Sequence, residues 1–204
     1  MPYRSTDYTR RKKDAKRAAM MQAALRVFAE KGYHTATIRD IVGSADVAVG
    51  TFYFYFPDKE TLFVYLYDET ADFLVQAVQQ AINTRKTFVR QVAAAVQAYV
   101  NLALYEPAIV NLLLVSGVGA VATLVERRAA FRQRLVAAWQ KPLEEALAAG
   151  QIAPQDTRRS AQGVAGALDE MILSLLEQPD PEREAAAAVE DISQFVLRAA
   201  GFRG

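Results

Sequence analysis

The stretch Thr37-Ile38-Arg39-Asp40-Ile41-Val42-Gly43-Ser44-Ala45-Asp46-Val47-Ala48-Val49-Gly50-Thr51-Phe52-Tyr53-Phe54-Tyr55-Phe56 decides how the chain is read. It spells two short helices around a turn. Thr37 opens the first: its hydroxyl accepts a backbone N–H, and Asp40 three residues on completes a start signal. Ile38, Ile41 and Val42 give that helix an apolar face, and Ser44-Ala45-Asp46 ends it. The second runs from about Ala48 to Phe54, with small residues, Ala48 and Gly50, at its front. Upstream, Met21, Leu25 and Phe28 recur at helical spacing between Asp14 and Lys31, with Ala18 and Ala24 beside them and Gly32 as a stop. A longer helix followed by a tight pair is a helix-turn-helix arrangement. Its last helix must be short and exposed to enter a major groove about 12 Å wide. The aromatics agree: residues 52–67 hold eight of the chain's 20. Phe52 and Phe56, four residues apart, share one face and are assigned to the core. Tyr53 and Tyr55 point elsewhere, toward phosphates or base edges, with internal packing as the alternative.

Charge is unevenly spread around this motif. The 204 residues carry a net +1, but residues 1–59 sum to +5 and residues 60–204 to −4. The leader alone holds Arg4, Arg10, Arg11, Lys12, Lys13, Lys16 and Arg17 against Asp7 and Asp14. Such a leader is the footprint of an anionic partner, or else a solvated tail. With no Cys and one His, disulfides, thiolate nucleophiles, Cys-ligated zinc and two-His metal sites are excluded. A Ser-His-Asp triad would have to use His34, which sits in the loop before Thr37 and reads as a surface residue. Phosphate-loop and dinucleotide glycine signatures and Glu-x-x-His pairs are absent. No catalytic residue, cofactor or metal is expected.

The remainder reads as helix after helix: Asp58 caps a fourth through Phe63, Leu66, Phe73 and Leu74. Further helices cover residues 87–105, 107–115, 121–149, 157–177 and 182–200, with Pro142 expected to kink its helix. Residues 107–125 carry no charge over 19 positions, close to the 20 or so of a membrane span. Asn111, Ser116, Gly117, Gly119 and Thr123 favour a buried short helix and a glycine loop instead, so no membrane association is expected. No signal-type apolar run follows the basic N-terminus. With the missing Cys, that makes the cytoplasm the expected location.

The residues Thr37-Ile38-Arg39-Asp40-Ile41-Val42, Ala45-Asp46-Val47, Gly50-Thr51-Phe52-Tyr53-Phe54-Tyr55-Phe56 and Lys59-Glu60-Thr61-Leu62-Phe63 resemble the DNA-binding domain of the TetR/AcrR family of transcriptional regulators. The likeness covers about residues 14–74; the rest is similar in helical layout. It implies an all-α chain in three parts. These are a basic flexible arm (1–13), a DNA-binding domain (14–74, motif 37–56) and a ligand-binding and dimerisation domain (75–204). It implies a homodimeric repressor on double-stranded operator DNA, released by a small apolar or amphipathic effector. Thr37, Arg39, Tyr55 and Lys59 would hold phosphates, and Val47, Ala48, Val49, Gly50, Thr51 and Tyr53 would face the groove. Lys59 would also link DNA register to the ligand domain. Two positions depart from the family pattern: Asp46 replaces a usual glycine, and Ala48 a usual Ser or Thr. The first is tolerable, because Asp adopts positive φ more readily than most. The second removes a cap and limits Ala48 to van der Waals contact with a thymine methyl.

In the C-terminal part, Arg127, Arg128, Arg132 and Arg134 form a basic cluster, either a solvated face or a site for an anionic headgroup. Phe131, Leu135 and Trp139 form a stripe, as core or as pocket wall. An effector pocket is expected from Leu66, Tyr99, Leu112, Leu113, Arg128, Phe131, Arg132 and Trp139, with a fatty acid or acyl-CoA as ligand. The dimer interface is expected from Ala161, Val164, Ala165, Leu168, Ile172 and Leu175 with Val189, Ile192, Phe195 and Val196, intramolecular packing being the alternative. The competing functions are a small helical enzyme and a helical lipid- or ligand-binding protein without a DNA role. DNA binding with a steep salt dependence separates them from the regulator.

Overall fold

The computed structural model describes residues 7–203. The chain is all-α, as expected. Its helices are α1 (Asp7–Thr35), α2 (Ile38–Ser44), α3 (Val49–Tyr55), α4 (Lys59–Asn83), α5 (Phe88–Tyr105), α6 (Pro107–Val110), α7 (Leu124–Ala148), α8 (Thr157–Leu176) and α9 (Pro181–Ala199), with a π-helical segment, Asn111–Ser116, after α6. Among the described residues the only β pairing is one isolated bridge, Ile152 to Phe202.

Local chemistry sets the boundaries. Asp156 caps α8 by accepting from the N–H groups of Arg158 and Arg159, and Asp180 caps α9 through Arg183. Gly32, at φ 71°, breaks the helical path within α1. The helix is thus interrupted at the expected glycine, and a short helical stretch follows it to Thr35. Pro142 is accommodated inside a continuous α7.

The chain forms two compact units. The first comprises the residues up to Glu69 together with Asn111–Val125, and the second Thr70–Val110 with Glu126–Gly204. This differs from the expected single cut at residue 74. The division falls inside α4, and a segment distant in sequence joins the DNA-binding motif. α1 starts at Asp7, within the expected arm over 1–13, whose residues 1–6 lie outside the described residues.

In the first unit, Met20, Phe28, Ile41, Phe52, Leu62 and Phe63 are fully buried, and the π-helical segment packs on α1. That segment ends at Gly117, whose N–H donates to the Leu112 carbonyl at 3.0 Å. A Cβ on Gly117 would lie 2.8 Å from that same oxygen and 3.0 Å from the Tyr67 ring. Only glycine allows this closure. In the second unit α5, α8 and α9 pack on one another, with Val92, Val96, Tyr99, Leu168, Ile172 and Val196 in the core.

Candidate functional site

The helix-turn-helix pair is assembled as its sequence dictates. Thr37 and Asp40 form a complete capping box on α2: Asp40 N–H donates to Thr37 Oγ1 at 3.1 Å, and Thr37 N–H donates to Asp40 Oδ2 at 2.9 Å. The Thr37 hydroxyl also donates to that carboxylate at 2.7 Å, and Lys31 Nζ donates to Asp40 Oδ1 at 2.7 Å. The Lys31 hydrogen bond, then those from Thr37, hold the Asp40 carboxyl down at about 2. The turn to α3 passes through Asp46 at φ 50°, the left-handed conformation expected there. Ala48 is the N-cap of α3 and contributes no side-chain bond.

Within α3 the division between core and surface is sharp. Phe52 is buried in the helix and Phe56 at its C-cap, while Val49, Tyr53 and Phe54 are 43%, 56% and 65% exposed. Successive residues turn by about 100°, so Val49, Gly50, Tyr53 and Phe54 lie within one arc. Ala48 and Gly50 are exposed beside them, and Val47, Thr51 and Tyr55 are half-buried. Arg39 is exposed on α2. Phe54 was not among the expected contact residues. The signal was its spacing: it follows Gly50 by four and so shares that residue's outward side.

Lys59 is placed differently from expectation. Its ammonium donates to the carbonyls of Tyr33 and Ala36 at 2.7 and 2.8 Å and sits 4.3 Å from the centre of the Tyr33 ring. Burial lowers its pKa. Two of its three donors therefore close the loop after α1, where the kink at Gly32 leaves carbonyls without helical partners. Asp58 caps α4, accepting from Thr61 N–H at 2.7 Å, and that bond lowers the Asp58 carboxyl. From the basic leader, Arg17 lies over the Tyr65 ring at 4.5 Å.

The expected effector residues divide between the units: Leu66, Leu112 and Leu113 are buried in the first. Tyr99, Phe131 and Trp139 are buried in the second, and Arg128 is half-buried there. Arg132 forms an ion pair with Asp169, whose other oxygen accepts from the Tyr99 hydroxyl at 2.8 Å. Burial raises the Asp169 carboxyl, opposed by Arg132 and Tyr99, and raises the Tyr99 hydroxyl well above its usual value. Arg134 pairs with Asp72. The arginine cluster is thus partly engaged by acids and is not simply a solvated face. The Trp139 indole N–H is buried with no acceptor among the described residues. Arg132 lines a groove of about 550 Å³ with Gln133, Gln140, Arg158 and Gln162. Sequence reading missed those four polar residues. Their signal was a seven-residue spacing on α7 and a four-residue spacing on α8.

Most of the residues expected at the dimer interface pack inside the single chain. Ala161, Val164, Ala165, Leu168, Ile172, Leu175, Ile192 and Val196 are buried within the single chain. Helices α5, α8 and α9 of the same chain pack on one another. An apolar stripe specifies that a helix face is covered, not which chain covers it. Of the expected set, Phe195 is exposed and Val189 half-buried.

A capped α2, a tight turn and an α3 with an uncovered apolar face define a helix-turn-helix protein. Comparison with known proteins agrees. Residues 20–66 match the bacterial regulatory proteins of the tetR family, and residues 89–198 match the tetracyclin repressor-like C-terminal domain. The chain belongs to the TetR family. It is similar to the fatty acid metabolism regulator protein of Bacillus subtilis (strain 168), with 29% identity over 92 residues, 45% of this chain and 47% of that protein. The match thus spans about half the length of that relative. In fold it is similar to FadR from Bacillus subtilis in complex with stearoyl-CoA, with TM-score 0.75, 21% identity and 91% and 99% of the two chains covered. It is also similar to the fatty acid degradation regulator FadR from Bacillus halodurans, with TM-score 0.81, 23% identity and 92% and 97% covered. No single helix among the described residues is long and apolar enough to cross a membrane.

Proposed function

We propose that this chain is a ligand-responsive, DNA-binding transcriptional regulator. It acts as a homodimeric repressor that leaves its operator when a fatty acid or acyl-CoA thioester binds its C-terminal part. The observation that carries the DNA reading is the exposed face of α3 set beside a capped α2, in a chain of the TetR family. Arg39, Tyr55 and the N-terminus of α2 meet phosphates, and the face Val47 to Tyr53 meets the groove. Lys59 has one donor left for a phosphate, and its main work is to hold the loop before α2. The test is duplex binding by fluorescence anisotropy between about 50 and 200 mM salt. A steep loss of affinity with salt is expected, and Arg39→Ala should lower the salt slope by about 1. Salt-independent binding, or none, refutes the regulator reading.

The effector class is supported by the acyl chemistry named for the relatives and by Arg132, Arg158 and the buried Trp139 N–H. Arg132 is already paired with Asp169, so an anionic headgroup must share or displace that carboxylate. Thermal shift with palmitate and with oleoyl-CoA tests this, and no shift with either counts against it. The dimer forms through the outward faces of α8 and α9, with Phe195 as its apolar contact. Phe195→Glu should lower the mass seen by light scattering; a wild-type monomer at micromolar concentration refutes the dimer.

A further inference from the structure

Sequence is read in the major groove by a small set of pairings. Arg or Lys donates to guanine, Asn or Gln bridges adenine, Asp or Glu accepts from cytosine, and apolar groups touch the thymine methyl. Val49–Tyr55, the whole of α3, contains no Lys, Arg, Asn, Gln, Asp, Glu or His. Bidentate readout from this helix is therefore unavailable. The side-chain polar atoms it does carry are three hydroxyls: those on Thr51 and Tyr55 belong to half-buried residues, and that on Tyr53 to an exposed one, which can make a single hydrogen bond but not a bidentate pair. Apart from the Tyr53 hydroxyl, what α3 presents outward is apolar: Val49, Gly50, the Tyr53 ring and Phe54. Gly50 gives a second, independent observation. It sits in a helix, its φ is ordinary, and a Cβ placed on it would meet nothing within 4 Å. The fold itself therefore does not require glycine there, and glycine costs helix stability relative to alanine. On the outward face of α3 the missing side chain leaves room for a surface to come close.

We propose that α3 recognises its operator through thymine C5-methyl groups, with Val49 and Phe54 as the apolar contacts and Gly50 as the gap that admits a methyl or the groove floor. The partner so defined is a duplex whose half-sites carry thymines under α3. This rests on the DNA-binding reading above and specifies how that site discriminates. Phosphate contacts from α2 and the leader supply affinity without sequence information, and the methyl contacts supply the choice of sequence.

The experiment uses the full chain. Bound duplexes are selected from a random-sequence library, and each half-site thymine of the selected duplex is replaced in turn by uracil, which differs by that one methyl. Affinity should fall about four-fold for each contacted methyl, with the salt dependence unchanged. Phe54→Ala and Val49→Ala should bring the thymine-to-uracil ratio toward one. Gly50→Ala should weaken binding while thermal stability is kept or raised. Selected half-sites without thymine, equal affinity for both forms, or ratios unmoved in both variants overturn the methyl readout alone. Binding with no duplex enriched above random sequence likewise overturns the methyl readout alone, whereas no measurable binding to any duplex overturns the DNA-binding reading, and the methyl readout with it.

Discussion

Removing one oxygen atom from Tyr99 tests the polar cluster inside the second unit. The Tyr99 hydroxyl donates to Asp169 at 2.8 Å, and the residue is 1% exposed. Tyr99→Phe keeps the ring and its packing and deletes one hydrogen bond to a carboxylate. Such bonds contribute about 1.5–3 kcal/mol. The low end applies, because Asp169 keeps Arg132 and its side chain is 13% exposed, so water replaces part of what is lost. We expect a loss of about 1.5 kcal/mol, which in a chain of this size lowers Tm by about 3–6 °C. Asp169→Asn should cost less than the 3–5 kcal/mol typical of breaking a fully buried pair, since the Arg132 side chain is 37% exposed. A cycle with Asp169→Ala, which leaves no acceptor for the hydroxyl, isolates the bond, and urea denaturation should give a coupling of about 1 kcal/mol between Tyr99→Phe and Asp169→Ala. Additive losses would show that the hydroxyl and the carboxylate do not interact, and the cluster would then not hold Arg132 as described.

Two glycine substitutions should act in opposite directions. Gly117→Ala drives a Cβ into the Leu112 carbonyl and the Tyr67 ring and should cost about 1–3 kcal/mol by denaturation. Gly163→Ala, in α8 with nothing within 4 Å of the new Cβ, should stabilise by up to about 1 kcal/mol. Thr37→Ala removes the capping box of α2 and should cost about 1 kcal/mol in stability, with weaker DNA binding. Lys59→Met should lower thermal stability by freeing the Tyr33 and Ala36 carbonyls. It should change the salt slope of DNA binding less than Arg39→Ala does; an equal change would make Lys59 a phosphate contact in its own right. Asp40 titrates at about 2 against an ordinary 3.8, so its folded-state advantage is complete above 3.8 and disappears as pH falls through about 2. The stability gap between the wild type and Asp40→Asn, followed by circular dichroism, should close over that interval.

Much of what has a local cause was legible in the sequence. The capping of α2 by Thr37 and Asp40, the left-handed Asp46, the missing cap at Ala48 and the burial of Phe52 and Phe56 rest on residues a few positions apart. Short-range hydrogen bonding and helical periodicity suffice to predict such features. The tertiary structure decided whatever depends on partners remote in the chain. A lysine at a helix start gives no sign that carbonyls 23 and 26 residues earlier lie beside it, as they do at Lys59. What covers the stripes of α8 and α9 is equally hidden, because an amphipathic pattern is the same whether a helix of the same chain or a second chain covers it. Arg132 looked like a free cation until the fold brought Asp169 and Tyr99 to it. Periodicity states that a face must be covered and a charge must be paired. Which group does so is fixed only when the chain closes on itself.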